Sequence, residues 1–178
     1  NYNYSIANIK PLSRAFYKMI EICSTLKILE DYNNINLKSF HLAEGPGGFI
    51  EALCFLRKNK KDIYYGMTLI DNNNSLIPGW KKTEKFLLQN SNVHIEKGKD
   101  KKGDLLNVEN LWYCYKNYKG SIDLVTGDGG FDFSQDFNNQ EVMASKLIFS
   151  EIAFALAMQK KNGIFILKIY DIFTNLTI

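Results

Sequence analysis

The stretch His41-Leu-Ala-Glu-Gly-Pro-Gly-Gly-Phe-Ile-Glu-Ala-Leu53 decides how this chain folds. A short apolar run of strand type enters a glycine-rich turn, and an apolar-periodic segment of helical type leaves it. Gly45, Gly47 and Gly48 lack Cβ atoms, so the backbone can turn tightly and a ligand can approach its peptide groups closely. A helix that begins there points its free N–H groups at the same spot. Such a crevice, at the carboxyl end of a first strand, is where open α/β sheets bind nucleotides and nucleoside-like cofactors.

The same alternation continues on either side. Leu12 to Leu29 carries Phe16, Met19, Ile20, Cys23 and Leu26 at helical spacing. Strands are expected at 37–43, 63–69, 93–96, 122–126 and 164–169, with helices at 47–57, 80–89, 108–118 and 141–160. The loop after the second strand is polar, with Asn72-Asn73-Asn74 and Pro78-Gly79. Strands alternating with helices predict an α/β fold of Rossmann-like type, a parallel sheet with helices on both faces. The 178 residues, 46% of them hydrophobic, suffice for one domain with its own core.

Bulk properties narrow the setting. A net charge of +3 and a pI near 8.6 permit a nucleic-acid partner without arguing for one. Cys23, Cys54 and Cys114 are scattered and form no C-x-x-C pair, so they read as buried thiols in a reducing, cytoplasmic setting. His41 and His94 stand alone and read as structural. No apolar run reaches the about 18 residues of a membrane span, and no signal-peptide pattern opens the chain.

Two cofactors compete for the glycine turn. A dinucleotide fold wants G-x-G-x-x-G, and here Ile50 fills the third glycine position. Pro46 stiffens the turn and removes a donor, which suits a pyrophosphate poorly. Glu44 beside a pyrophosphate would be repelled, whereas a cationic amino-acid moiety would be attracted. S-adenosyl-L-methionine, with no phosphates and a cationic end, is the better match.

The remaining candidates lie at strand ends. Strand 122–126 feeds Asp128-Gly-Gly130, which leaves Asp128 exposed on the same sheet edge as Glu44. Lys168 sits inside the run Ile164-Phe-Ile-Leu-Lys-Ile-Tyr170, apolar enough to be buried on both faces. A lysine there must snorkel out or give up its charge more easily than in water. Arg14 and Lys18, one turn apart, read from pattern alone as a solvated helix face. Tyr115 and Lys119 form the Y-x-x-x-K spacing of short-chain dehydrogenases, but precede the Asp128 strand, the wrong place for that site. The clusters at 57–61 and 97–102 read as solvated loops.

Taken together, Lys18, Glu44-Gly-Pro-Gly-Gly-Phe49, Gly66-Met-Thr-Leu69, Asp128-Gly-Gly-Phe131 and Lys168 resemble the FtsJ-like RNA ribose 2′-O-methyltransferases. They are most similar to the cap-specific enzymes of eukaryotes and large cytoplasmic DNA viruses. The resemblance spans nearly the whole chain and rests on the joint order and spacing of these segments. It implies the class I S-adenosylmethionine-dependent methyltransferase fold and a Lys-Asp-Lys-Glu site, with Lys18, Asp128 and Lys168 as the first three members. It implies cofactor contacts from Glu44, Gly45, Pro46, Gly47, Gly48, Phe49, Thr68 and Asp128, and from Asp104 at the adenine amine. Capped mRNA is the implied partner, with other capping or transcription subunits possible, and the host cytoplasm, a virion or a nucleus the implied location. Two departures stand out: the sequence ends at Ile178, before the family's closing glutamate, and Asp71 arrives late for the acid that holds the cofactor ribose. The last strands are therefore expected to be missing. The rival readings are a non-catalytic methyltransferase-fold subunit and a nicotinamide-dependent oxidoreductase.

Overall fold

Five strands form one all-parallel sheet: β1 (Lys38–Leu42), β2 (Ile63–Met67), β3 (Val93–Ile95), β4 (Ile122–Gly127) and β5 (Gln159–Leu167), in the order β3-β2-β1-β4-β5. The computed structural model describes residues 9–71, 73–74, 77, 79–130 and 140–169. Asn72, Pro78, Phe131 and Tyr170 lie outside them. The chain enters at the sheet centre and works to one edge through β2 and β3, then returns to β4 beside β1. This reversal puts the topological switch point between β1 and β4, where open sheets bind ligands. The expected Rossmann-like architecture is the one observed.

Helices α1 (Ala15–Thr25), α2 (Gly48–Arg57) and α3 (Glu84–Gln89) cover one face, and α4 (Val108–Tyr118) and α5 (Gln140–Met158) the other. On the first side Phe16, Met19 and Cys23 of α1 pack with Ile50 and Leu53 of α2 over Leu37, Tyr64 and Leu124. On the second side Cys114 and Phe154 pack over Phe40, Leu42 and Val125. The burial of both faces explains why β4 is apolar or shielded throughout. No described helix is long and apolar enough to cross a membrane.

Three local outcomes differ from the expectations. The first helix ends at Thr25, followed by a turn and a 3₁₀ helix at Glu30–Tyr32. Helix α3 is confined to residues 84–89 because Gly79 to Thr83 form a turn. The last strand starts at Gln159, directly after α5, with a register shift between Ile122 and Leu124. Asn162, at φ 64°, and Gly163 take up that irregularity, and the Lys160 ammonium is held by Asp123.

A buried ion pair anchors the opposite end of β2. Asp62, fully buried, accepts from Arg57 Nε at 2.7 Å, the Leu37 N–H at 2.7 Å and the Tyr64 hydroxyl at 2.9 Å. Arg57 also donates to the carbonyls of Tyr32 and Ile35. Arg57 is thus structural, not part of a solvated basic loop.

Gly48 sets the distance between α1 and α2. A Cβ there would lie 2.2 Å from Ser13 Oγ and 3.0 Å from the Phe16 nitrogen. Helix α1 sits where it does because this position is bare. Glu51 holds the entry to the helix by accepting the Leu12 N–H at 2.7 Å. Gly48→Ala is expected to lower stability by about 1–3 kcal/mol through overpacking, read as a lower urea midpoint at unchanged m.

Candidate active site

Leu42 stands in register with Gly127, and Gly127 with Leu167. The residues that leave these three strands therefore meet on one edge. Asp128 is at the centre. Lys18 Nζ lies 2.6 Å from its Oδ2, and Lys168 Nζ lies 3.0 Å from its Oδ1 and 3.2 Å from its backbone carbonyl. The Lys168 N–H donates to the Gly127 carbonyl at 2.8 Å, so the ladder extends one residue beyond β5 and fixes the root of this side chain. Residues from α1, the end of β4 and the end of β5 converge as one bridged ion pair.

The burial expected of Lys168 is corrected. Strand β5 pairs only with β4 among the described residues and is half-buried rather than enclosed on both faces. The side chains of Lys18 and Lys168 are 49% and 34% exposed, while Asp128 is 13% exposed. The carboxylate is shielded and both amines face outward, within reach of a ligand. Lys18 is not on a merely solvated helix face. It is brought to the edge by the close α1–α2 contact at Gly48, and its Nζ lies 5.8 Å from the Phe49 ring centre.

The glycine turn also departs from expectation. The N-terminus of α2 does not leave its N–H groups free: Glu44 Oε1 accepts from Phe49 at 2.8 Å and Ile50 at 3.0 Å. Gly47, at φ 110°, takes the left-handed conformation that permits this return. Gly45 lies against the next loop, where a Cβ would meet the Gly79 carbonyl at 2.5 Å and Thr68 Cγ2 at 2.9 Å. Pro46 accepts from the Thr83 hydroxyl through its carbonyl at 2.7 Å. Thr68 is buried beside this turn, and its carbonyl stands where a Cβ on Gly103 would be. Asp104, in the same loop, spends Oδ1 on the Leu106 N–H at 2.8 Å. Asp71 lies in the surface loop beyond β2 and accepts from Asn73.

A second buried acid lies on the other side of Asp128. Glu151 of α5 is fully buried, and its Oε1 accepts from the Gly129 N–H at 3.0 Å. Glu44 and Glu151 are both pushed from 4.5 up to about 8, chiefly by desolvation, with Asp128 adding to the rise. Each stays protonated at neutral pH while an unfolded carboxyl would not. Their contributions to stability are therefore complete below about pH 4.5 and lost as the pH rises through about 8. Urea unfolding between pH 5 and 8 is expected to show stability falling by up to about 1.4 kcal/mol per pH unit per group, then levelling off.

His41 behaves as the sequence suggested. Its ring is buried between Ser39 Oγ at 2.7 Å and Thr126 Oγ1 at 2.8 Å, and burial lowers its pKa to about 3. Burial raises the Cys23 and Cys54 thiols to about 11 and 12, and lifts Cys114 as well, so all are protonated. Lys119 donates to Tyr115 at 2.9 Å on the exposed end of α4, remote from Asp128 along the strand axis.

Sequence reasoning missed Glu151 and the capping task of Glu44. The signal for Glu151 was present as a lone acid in the apolar run Leu147-Ile-Phe-Ser-Glu-Ile-Ala-Phe154. For Glu44 no local signal distinguishes a ligand-facing carboxylate from one that turns back onto its own helix.

Comparison with known proteins agrees with this fold. The model of the FtsJ-like methyltransferase family matches residues 11–177. The chain is 29% identical to cap-specific mRNA (nucleoside-2′-O-)-methyltransferase 2 of Danio rerio, over 95% of this chain and 24% of that protein. It is 29% identical to the corresponding methyltransferase 1 of Mus musculus, over 85% of this chain and 18% of that protein. It therefore spans about a quarter or less of the curated relatives it matches. In structure it is similar to a Plasmodium falciparum protein assigned as a ribosomal RNA methyltransferase, with a TM-score of 0.57 at 22% identity, covering 88% of this chain and 76% of that one. With a parallel α/β sheet, a glycine turn after its first strand and a family match over nearly its whole length, the chain belongs to the FtsJ-like methyltransferases.

Proposed function

We propose that this chain is an S-adenosylmethionine-dependent RNA ribose 2′-O-methyltransferase that acts on the cap-proximal nucleotide of mRNA. The observation that carries the reading is Asp128 bridging Lys18 and Lys168 at the switch point of the sheet. The names of the relatives supply the substrate class.

The turn fits a cationic cofactor better than a phosphorylated one. A helix N-terminus whose N–H groups are already taken by Glu44 has little to offer a pyrophosphate. Asp128 supplies a shielded negative charge that suits an ammonium or sulfonium, and such a cation beside the neutral Glu44 would draw that acid toward its charged form. Gly45, Gly47 and Gly48 would hold the ligand through backbone, with Pro46, Phe49 and Thr68 shaping the walls and Asp104 at the adenine end. S-adenosylmethionine, when bound, supplies an electrophilic methyl group.

The protein must then handle one proton. A ribose 2′-hydroxyl is a weak nucleophile until its proton leaves, and Lys168 in its uncharged form takes that proton. With both lysines charged, the Lys18–Asp128–Lys168 set carries one surplus positive charge, and release of a proton from Lys168 makes it neutral overall. Lys18 on the far oxygen offsets the hold of Asp128 on Lys168. Asp128 fixes the amine in direction, and orientation of the reacting groups supplies much of the remaining acceleration.

Two measurements on the full-length polypeptide test this. Calorimetry is expected to show binding of S-adenosylhomocysteine and none of NAD; the reverse result overturns the cofactor assignment. Capped RNA is expected to accept a methyl group, and the same RNA already carrying a 2′-O-methyl at its first nucleotide is not. Binding without transfer to either would favour the non-catalytic subunit.

A further inference from the structure

Glu151 has no part in the chemistry above, yet its position is built with care. It is the one acid in the middle of an apolar helix, it is fully buried, and its Oε2 has no hydrogen-bond partner among the described residues. Its Oε1 holds the peptide nitrogen of Gly129, the residue directly after Asp128.

The two glycines that flank Asp128 are shaped around this carboxyl group. A Cβ on Gly127 would lie 2.9 Å from Glu151 Cδ, and one on Gly129 would lie 2.7 Å from Oε1. Neither glycine has a positive φ. Their bareness serves close approach, and what approaches is Glu151, together with Leu147 at Gly129 and Leu167 at Gly127. The turn 127–129 is pressed onto the acid from both sides of Asp128.

We propose that Glu151 is a positioning residue for Asp128: seated beneath the turn 127–129, it fixes the peptide after Asp128 and so the direction in which Asp128 meets Lys18 and Lys168. The inference rests on the reading of that triad as the methyl-transfer site.

Among the described residues, the charged groups that face Glu151 are Asp128 at the end of β4 and Lys168 at the end of β5, with Lys18 of α1 behind Asp128. Its own helix presents Leu147, Ile148, Phe154 and Ala155 in the neighbouring turns. In this setting desolvation, against weaker opposition from the Gly129 N–H and Lys168, keeps the carboxyl protonated up to about pH 8. The acid form suits its position. A second carboxylate beside Asp128 would bind Lys168 in its charged state and oppose its action as a base. Glu151 therefore orients Asp128 without adding a negative charge at neutral pH.

The test compares Glu151→Gln with Glu151→Leu in the full-length protein. Glutamine keeps an acceptor oxygen for Gly129 and cannot ionise; leucine keeps the bulk and removes the acceptor. Glu151→Gln is expected to retain near wild-type kcat at pH 7 and to exceed wild type above about pH 8, where Glu151 ionises. Glu151→Leu is expected to lower kcat by about 10-fold to 100-fold, the effect of a small misplacement, with RNA KM and S-adenosylhomocysteine affinity unchanged. Wild-type kcat in folded Glu151→Leu overturns the proposal, because a purely structural role alters stability alone. A Gln variant as impaired as the Leu variant also overturns it.

A second readout needs no turnover. Exchange of the Gly129 amide is expected to be slow in wild type and Glu151→Gln and fast in Glu151→Leu, with the Nζ resonances of Lys18 and Lys168 shifted only in the latter. If the wild-type protein methylates nothing while these signals behave as stated, the functional reading fails and the positioning role stands. Unshifted Nζ signals in Glu151→Leu overturn the positioning role whatever the activity.

Discussion

Lys168→Ala is expected to lower methyl transfer to capped RNA by about 10²–10⁴-fold, the range for loss of a general base, with S-adenosylhomocysteine bound as tightly as before. The substitution removes the amine and little else. The backbone N–H of residue 168 still donates to the Gly127 carbonyl, so the end of β5 keeps its place. The side chain is one-third exposed, and its loss opens no core cavity. The glycine turn and Glu44 lie across Asp128 from it and are untouched. Lys168→Arg sharpens the argument: it preserves the positive charge and the pairing with Asp128, but a guanidinium does not give up its proton near neutral pH. Arginine should therefore be about as inactive as alanine. Rapid single-turnover transfer in the arginine variant would show that Lys168 acts by charge and that another group takes the proton.

Much of the fold was readable because period and punctuation agree. Short strand-type segments alternate with helical patterns, and glycines mark ends that face the ligand edge. The boundaries failed where tertiary contacts overrule local preference. Helix α5 stops at Met158 because Gln159 already pairs with Ile122, and nothing in Lys160-Lys-Asn-Gly163 announces that the strand begins before this turn-like stretch. The site was legible at strand ends, where Glu44, Asp128 and Lys168 follow from topology. Lys18 was not, since its partner lies 110 residues away and its local pattern is that of an ordinary amphipathic helix. Only the likeness to a family singled it out. Glu151 carried the reverse difficulty: its oddity was visible, but its meaning depends on the Gly129 nitrogen, 22 residues earlier in the chain. Arg57 was misread for a similar reason, as a short charged sequence does not reveal that the neighbouring Asp62 will be enclosed by Leu37 and Tyr64.

Asp128→Ala is the second substitution with a large expected effect, about 10²-fold or more on transfer through lost orientation, although Asp128 handles no proton in this scheme. Its removal leaves two ammonium groups facing each other across an empty position. Like charges at this range repel, and the Coulomb energy grows in a shielded environment. Both side chains are flexible and partly exposed, so they are expected to swing apart into solvent rather than remain as a strained pair. Lys168 would then lose its proton more readily yet no longer point at the substrate. Position and proton affinity are thereby separated, and the variant asks which one limits the rate. A cycle with Lys18→Ala completes the test. If Lys18 acts through Asp128, Lys18→Ala alone should lower the rate by a smaller factor, and adding it to Asp128→Ala should cost almost nothing further, since contacting residues of one network do not add. Multiplicative losses would assign Lys18 a separate contact with RNA or cofactor. Recovery of kcat in Asp128→Ala at high pH, to the wild-type value, would show that Asp128 tunes the charge of Lys168 and does not aim it.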